Sequence, residues 1–321
     1  MNKEIFIGID LGGTNVRVGA VTPEGEVLAS QDNPLEARLG PQAGVEKISS
    51  LITRVTQQAG GRLQAIGIGS SGPVDRDLGA IQNPYTLPTW ENVDIVGMLR
   101  DKFHVPATIE NDADAAALGE SWMGAGRGLP RLIMVTVGTG VGTAFIQNGL
   151  IYRGAGGVHC EGGHMILDPS GPECYCGAKG CWESLASGTA VGAFAREQAT
   201  LHPTLMTELA EGDLQRIDAA IAAEAARRGD PLARGIFDQA ADYIGLGLVN
   251  LILLFLPECI VLTGGVMRSF DLLEARIRAV IGRHNIMVPA DRVALRLAGL
   301  GQQAGMIGAA RAAMLHVDEK S

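Results

Sequence analysis

Three cysteines and a histidine stand close together in "GHMILDPSGPECYCGAKGCWES", residues 163–184, in the order His164, Cys174, Cys176 and Cys181. The spacing is His-x9-Cys-x-Cys-x4-Cys. Three thiolates and one imidazole are the donor set of tetrahedral Zn2+. Four protein ligands leave no open position, so a zinc held there is structural and the reaction centre lies elsewhere. Glu161 of "EGGH" and Glu183 of "CWES" flank the cluster. With His164 they are either acceptors for a hydroxyl-rich ligand or surface charge on a rigidly held loop.

Two stretches offer phosphate chemistry. In "DLGGTN", Asp10 is followed by Gly12, Gly13, Thr14 and Asn15. A turn without bulky side chains lets backbone N–H groups and a hydroxyl approach phosphate oxygens. Asp10 could hold Mg2+ directly or through water. "TVGTGVG" (136–142) repeats the device with Gly138, Thr139 and Gly140. A strand follows the first turn where a dinucleotide fingerprint needs a helix, and no Walker A loop is present. Each loop alone also reads as a plain glycine hairpin; two together could clamp a nucleotide tail. In "IENDADAAALGE" (109–120), Asn111 and Asp112 fall at a helix start. Asp112 is there either an N-cap or a general base, and Asp114 competes for the cap.

Apolar patterning supplies the elements that must hold these groups. "EIFIGID", "NVRVGAVT" and "EVLAS" predict three strands, joined by the Gly-Gly-Thr turn and by Glu24-Gly25. Residues 42–59 have helical spacing, and 63–75 read as a buried strand running into a Gly/Pro loop. Residues 92–104 predict a helix, 106–112 a short strand and 113–125 a second helix. The pattern then restarts: 131–152 is again strand, Gly/Thr turn, strand, with a hairpin turn at Asn148-Gly149. "PECIVLTGGVM" (257–267) parallels 63–75, which suggests a duplicated α/β unit. Residues 187–256 are mostly helical, 301–315 form a closing helix, and the last six residues are expected to fray.

The 321 residues, 46% hydrophobic and 19% charged, suffice for two domains or one large one with a full core. A net charge of −9 argues against a nucleic-acid partner. It suits an enzyme for a neutral or metal-complexed substrate. "MNKEIFIGID" reads as a strand and lacks the apolar core of an export signal, so a cytoplasmic protein without a membrane partner is expected. "YIGLGLVNLILLFLP" (243–257) is too short for a bilayer and predicts a buried core helix. Five cysteines, three of them clustered, read as reduced thiols binding metal before disulfides.

In order along the chain, "DLGGTNVRVG", "ENDADAAALGE", "TVGTGVGTAFIQNG", "EGGHM", "CYCGAKGCWE" and "TGGV" resemble the ROK family (repressors, open reading frames and sugar kinases) of the actin-like ATPase superfamily. The resemblance runs essentially end to end. It implies two actin-like (ribonuclease H-like) α/β domains around a central cleft, 1–118 joined by a C-terminal helix 303–321, and 119–302 with a zinc loop 164–181. It implies a glucokinase-like ATP:hexose phosphotransferase using ATP, Mg2+ and structural Zn2+, with O6 of glucose as the first expected acceptor, as a homodimer or homotetramer. Asp112 then matches the catalytic base and Asn111 the adjacent sugar contact. Glu161, His164 and Glu183 match the other sugar ligands, with His164 also among the zinc ligands. Asp10, Gly12, Gly13, Thr14 and Asn15 match the first phosphate loop, Gly138, Thr139 and Gly140 the second, and Gly264 and Gly265 the loop beside adenosine. Ser71 and Gly72 of "GSSGPVD" and Thr86 of "YTLPTW" fall in loops that line the sugar pocket. Ser71 and Thr86 depart from the residues common there, and "VHCEGGH" is similar to the His-x-Glu of fructokinases, so fructose, allose, N-acetylmannosamine and N-acetylglucosamine remain alternatives. The family also holds sugar-sensing repressors, and a non-catalytic sugar-binding protein is a further alternative. The nine residues before Asp10 leave no room for a helix-turn-helix, and the intact Asn111-Asp112 pair argues for catalysis.

Overall fold

The computed structural model describes residues 3–83, 86–87, 89–284 and 287–318. Tyr85 and Pro88 of the "YTLPTW" loop, Met1 and Asn2 of the opening segment, and Glu319–Ser321 of the expected closing helix lie outside the described residues. The chain begins with β1 (Glu4–Leu11), β2 (Asn15–Val21), β3 (Val27–Pro34), α1 (Pro41–Ala59) and β4 (Arg62–Ser70). Three two-residue strands follow, β5 (Val74–Asp75), β6 (Ala80–Ile81) and β7 (Val93–Asp94), then α2 (Ile95–Phe103), β8 (Ala107–Asn111) and α3 (Asp112–Trp122). The second run is β9 (Arg131–Val137), β10 (Val141–Gln147), β11 (Leu150–Ile151), α4 (Trp182–Ala186), α5 (Gly188–Leu201), α6 (Leu205–Leu209), α7 (Ala219–Arg227) and α8 (Pro231–Phe255). It closes with β12 (Cys259–Thr263), α9 (Phe270–Arg283), β13 (Ala294–Leu297) and α10 (Ala304–Asp318).

Two five-stranded sheets carry the same order, β3-β2-β1-β4-β8 and β11-β10-β9-β12-β13, as the restarting strand–turn–strand pattern predicts. The chain forms two compact units: residues 1–132, 144–159 and 298–321, and residues 133–143 and 160–297.

In the first unit, β1 and β2 are antiparallel, while β1–β4 and β4–β8 are parallel. Strand alternation sends Ile5, Ile7, Ile9 and Leu11 into one core with Ile48, Leu51, Ile52 and Val55 of α1, the helix expected at 42–59. The opposite face receives α10. Gly19, Gly8 and Gly67 stand side by side across β2, β1 and β4, a row without side chains in which the helix backbone lies. A Cβ on Gly8 would fall on the carbonyl oxygen of Met306, and one on Gly67 on that of Ala309. Gly8→Ala is therefore expected to destabilise the protein by about 3 kcal/mol, read as a lower urea midpoint, because backbone cannot yield as a side chain does.

Two sequence expectations shift in this unit. The helix expected over 92–104 begins only at Ile95, because Val93 and Asp94 pair with β6 and the Asp94 carboxylate accepts from Gly97 N–H at 2.6 Å as the cap. The C-terminal residues through Asp318 do not fray. α10 holds there by burying Met314 against Phe6 and Val21, with Val317 packed on the same cluster.

In the second unit, α8 is capped by Asp230, which accepts from Leu232 and Ala233 N–H. The apolar stretch expected to be too short for a bilayer ends a 25-residue helix that by length and composition could cross a membrane, yet 61% of its apolar window is buried in the protein, as a core helix requires. The fully buried Trp182 of α4 packs against Gly247 in its middle.

Candidate active site

The first unit gathers the catalytic candidate, the acceptor loops and one phosphate loop. β8 ends at Asn111 and α3 begins at Asp112 with no residue between. Asn111, not Asp114, caps α3: its Oδ1 accepts from Ala113 N–H at 2.8 Å, and its Nδ2 donates to Gly72 O at 3.1 Å. Asp112 Oδ1 also accepts from Ala113 N–H at 2.8 Å, leaving Oδ2 for other chemistry. Burial outweighs that hydrogen bond and, with the nearby charge of Asp10, pushes the Asp112 carboxyl up to about 6.

Gly72 takes a left-handed φ of 79°, and a Cβ there would press into Asn83. Asn83, only 2% exposed, is the organiser that sequence reading missed. It donates to Ser71 O at 2.7 Å and to Thr86 Oγ1, while accepting from Thr86 N–H at 3.1 Å. Ser71 and Thr86 hydroxyls lie 3.2 Å apart. Asn83 sits in "IQNPYT", whose Asn-Pro step reads as a turn and carries no signal of a buried amide.

The first phosphate loop is held against these residues. Gly12 N–H donates to Asn15 O at 3.0 Å, Leu35 N–H to Thr14 O at 2.7 Å, and Ser71 N–H to Leu11 O at 3.1 Å. A Cβ on Gly13 would strike the Thr86 carbonyl, so glycine there lets the Gly12–Thr14 turn and the loop carrying Thr86 touch. Burial raises the Asp10 carboxyl against the opposing pull of Arg17, whose Nη1 stands 4.0 Å away. Arg17 also binds Asp32 and the carbonyl of Gln302, a tie invisible in "NVRVG".

The second unit gathers the other loop, a cavity and the metal cluster. Gly138 N–H donates to Gly140 O at 2.9 Å, and Thr189 Oγ1 to Thr139 O at 2.8 Å. Gly264, with φ at 100°, lets the end of β12 pass against the Val137 carbonyl. Beside Gly138, Thr139 and Gly265 opens a cavity of 770 Å³, with Arg196, Asp218 and Arg268 among its walls. That volume suits a nucleoside-sized ligand. One oxygen of Glu183 accepts from Val141 N–H at 2.8 Å, so this carboxylate braces the end of the Gly138–Gly140 turn.

His164, Cys174, Cys176 and Cys181 present ligand atoms that all lie within 4.8 Å of one another, with His164 Nδ1 3.5 Å from Cys174 Sγ. This set and spacing fit one tetrahedral zinc ion. The other ring nitrogen, Nε2, lies 3.1 Å from the Tyr175 hydroxyl. Glu161 is exposed on the turn that leads into His164, with its carbonyl accepting His164 N–H.

Comparisons with known proteins give this arrangement relatives of the same length. The glucokinase of Thermotoga maritima is 33% identical over 311 residues, 97% of each chain. The crystal structure of a ROK hexokinase from Thermus thermophilus superimposes with a TM-score of 0.84 at 33% identity, over 98% of this chain and 99% of that one. A ROK family glucokinase from Streptomyces griseus in complex with glucose and AMPPNP superimposes with a TM-score of 0.76 at 33% identity, over 97% and 99%. The ROK family model itself matches residues 6–315, spanning both glycine loops, the Asn111-Asp112 step and the Cys3His cluster, and this chain belongs to the ROK family.

Proposed function

We propose that this chain is an ATP-dependent hexose kinase that transfers the γ-phosphate of ATP to a sugar hydroxyl, O6 of glucose in the first instance. The observation that carries the reading is the continuous contact from the Gly13 loop through Thr86, Ser71 and Gly72 to Asn111 and Asp112. It puts a phosphate loop, hydroxyl-bearing acceptor loops and a carboxylate of raised proton affinity on one scaffold. In this reading the two compact units are actin-like α/β domains, with bounds at 132/133, 143/144, 159/160 and 297/298 in place of the expected 118/119 and 302/303, and the chain works in the reducing cytoplasm, where the clustered cysteines stay thiolates.

Asp112 accepts the proton of the attacking hydroxyl as its oxygen bonds to the γ-phosphorus. The bond from that phosphorus to the β-bridging oxygen breaks, and ADP leaves with the electron pair. Asn111, Glu161, His164 and Glu183 hold the remaining sugar hydroxyls, and Ser71, Gly72 and Thr86 shape the pocket. Adenosine fits the cavity beside Gly264 and Gly265. Asp10, Gly12–Thr14, Asn15 and Gly138–Gly140 meet the phosphates, where positioning and charge stabilisation supply most of the catalysis. Asp10 is the residue that would hold Mg2+ carried with ATP, whose charge would offset that of the phosphates. His164, Cys174, Cys176 and Cys181 would hold zinc, which would supply rigidity and take no part in the chemistry.

The direct test is glucose-dependent ADP release with ATP and Mg2+; no release with any hexose ends the reading. Because the base must be ionised, kcat/KM is expected to fall as pH drops through about 6, the value to which burial lifts Asp112. A second substrate reading rests on Ser71 and Thr86, whose paired hydroxyls line the acceptor loops. Ranking glucose, fructose, allose, N-acetylmannosamine and N-acetylglucosamine by kcat/KM decides between them.

A further inference from the structure

Glu110 precedes the Asn111–Asp112 step on β8, yet its side chain is only 3% exposed and meets a different set of partners. Arg153, two residues after β11, donates from Nη2 to Glu110 Oε2 at 2.7 Å. The Nε of Arg76, in the turn between β5 and β6, lies 3.1 Å from Oε1. Two guanidinium groups thus share one buried carboxylate, which offsets only one of their charges. Asp114, whose charge also acts on Glu110, is held 3.0 Å from His159 Nδ1.

The remaining donors of Arg153 are unequally placed. Its Nη1 donates to the Ile151 carbonyl at 3.3 Å, whereas its Nε is buried and has no hydrogen-bond acceptor in the protein. A buried N–H on a charged group is costly to leave unmade, so it calls for an acceptor from outside. Both arginines and Glu110 line a cavity of 120 Å³, with Ile151, Ala312 and His316 among its other walls. Pockets for sugar- or nucleotide-sized ligands start at about 300 Å³, so this one has room for a small ion only. All these residues belong to the first unit.

The geometry points to an anion site: Arg76 and Arg153 bind a small tetrahedral oxyanion, inorganic phosphate or sulfate, with the Arg153 Nε–H as one donor. A guanidinium is a planar, permanently charged set of donors matched to the oxygens of such ions. Glu110 holds the two side chains in place and leaves one positive charge for the incoming anion. The walls include none of the residues that bind sugar or nucleotide in the proposed kinase, so the inference goes beyond that reading and does not depend on it. A bound anion links the turn after β5, the segment after β11 and the end of β8, and it stabilises the folded chain by mass action.

The test titrates the full chain with sodium phosphate, sodium sulfate and sodium chloride at equal ionic strength, by calorimetry and thermal unfolding. Phosphate and sulfate are expected to raise the unfolding temperature saturably by at least about 2 °C, and chloride is not. Arg153→Lys keeps a cation for Glu110 and removes the Nε–H. It is expected to weaken phosphate binding about tenfold while leaving affinity for an ATP analogue unchanged, which separates this site from the glycine loops. Arg76→Gln, at a partly exposed position, is expected to weaken phosphate likewise and replaces the Lys variant if that one does not fold. A phosphate effect no larger than that of chloride overturns the proposal. So does saturable binding of unchanged strength in a folded variant, which puts the ion elsewhere. Glucose 6-phosphate carries the same phosphoryl group on a body too large for the cavity. Its binding more tightly than phosphate, and dependent on Arg153, would overturn the assignment to a free ion.

Discussion

Asp112→Asn is expected to lower turnover by at least ~100-fold, the scale of losing a general base, while leaving sugar affinity largely intact. The amide keeps the size of the side chain and an oxygen for Ala113 N–H, and the neighbouring Asn111 keeps its tether to Gly72. Only the proton acceptor is lost. Single-turnover ADP formation and glucose titration separate the two effects, and near-normal turnover removes Asp112 from the role.

The same substitution is expected to stabilise the fold at neutral pH. Burial raises the Asp112 carboxyl from 3.8 to about 6, so the folded chain holds this proton more tightly than the unfolded one. The stabilisation from protonation is present in full below the unfolded value and is lost as pH rises through about 6. Above that, the ionised carboxylate is buried at a cost of about 3 kcal/mol, which an uncharged amide avoids. Thermal unfolding of both forms at neutral pH and near pH 4 tests the sign: the gain from Asn should shrink at the lower pH. Stability given up to keep an ionisable group buried is a common trade at active sites.

Loss of the metal cluster is the second large effect. Cys181→Ser, at a fully buried position, or removal of metal by a chelator is expected to cut glucose affinity about 10–100-fold and to lower the unfolding temperature. The turn carrying Glu161 and His164 and the helix carrying Glu183 are tied together at the cluster: Trp182 N–H, next to Glu183, donates to the carbonyl of Met165, next to His164, at 2.8 Å. Nucleotide affinity should change less, because the cavity beside Gly138 and Gly265 is built from α5, α7 and the turn after β12. Calorimetric titration with glucose and with an ATP analogue, before and after chelation, reads both. Full glucose affinity in a folded, zinc-free chain would falsify the positioning role of the cluster.

Local chemistry was legible before folding. The Cys3His spacing, the two Gly/Thr turns between strands, and the strand-to-helix step at Asn111 and Asp112 each follow from residue types a few positions apart. The structure assembles all three, because short-range geometry leaves few alternatives for a closely spaced ligand set or a glycine turn. Less legible were the limits of α2 and α10, where a two-residue strand pairing and burial of Met314 overrode local expectation.

The sequence by itself determined the kinds of groups present and the loops that carry them. It could not say that Asn83, 28 residues before Asn111, would tie Ser71 to Thr86, or that Asn111 would take the cap and leave Asp114 to His159. Those outcomes depend on partners distant in the chain, and burial decides them: an amide or carboxylate cut off from water must find a partner wherever packing brings one. The row of Gly19, Gly8 and Gly67 has the same character, since three scattered glycines become one groove only when strand register aligns them. Register and burial are tertiary quantities, and they turned a list of reactive residues into an arranged site.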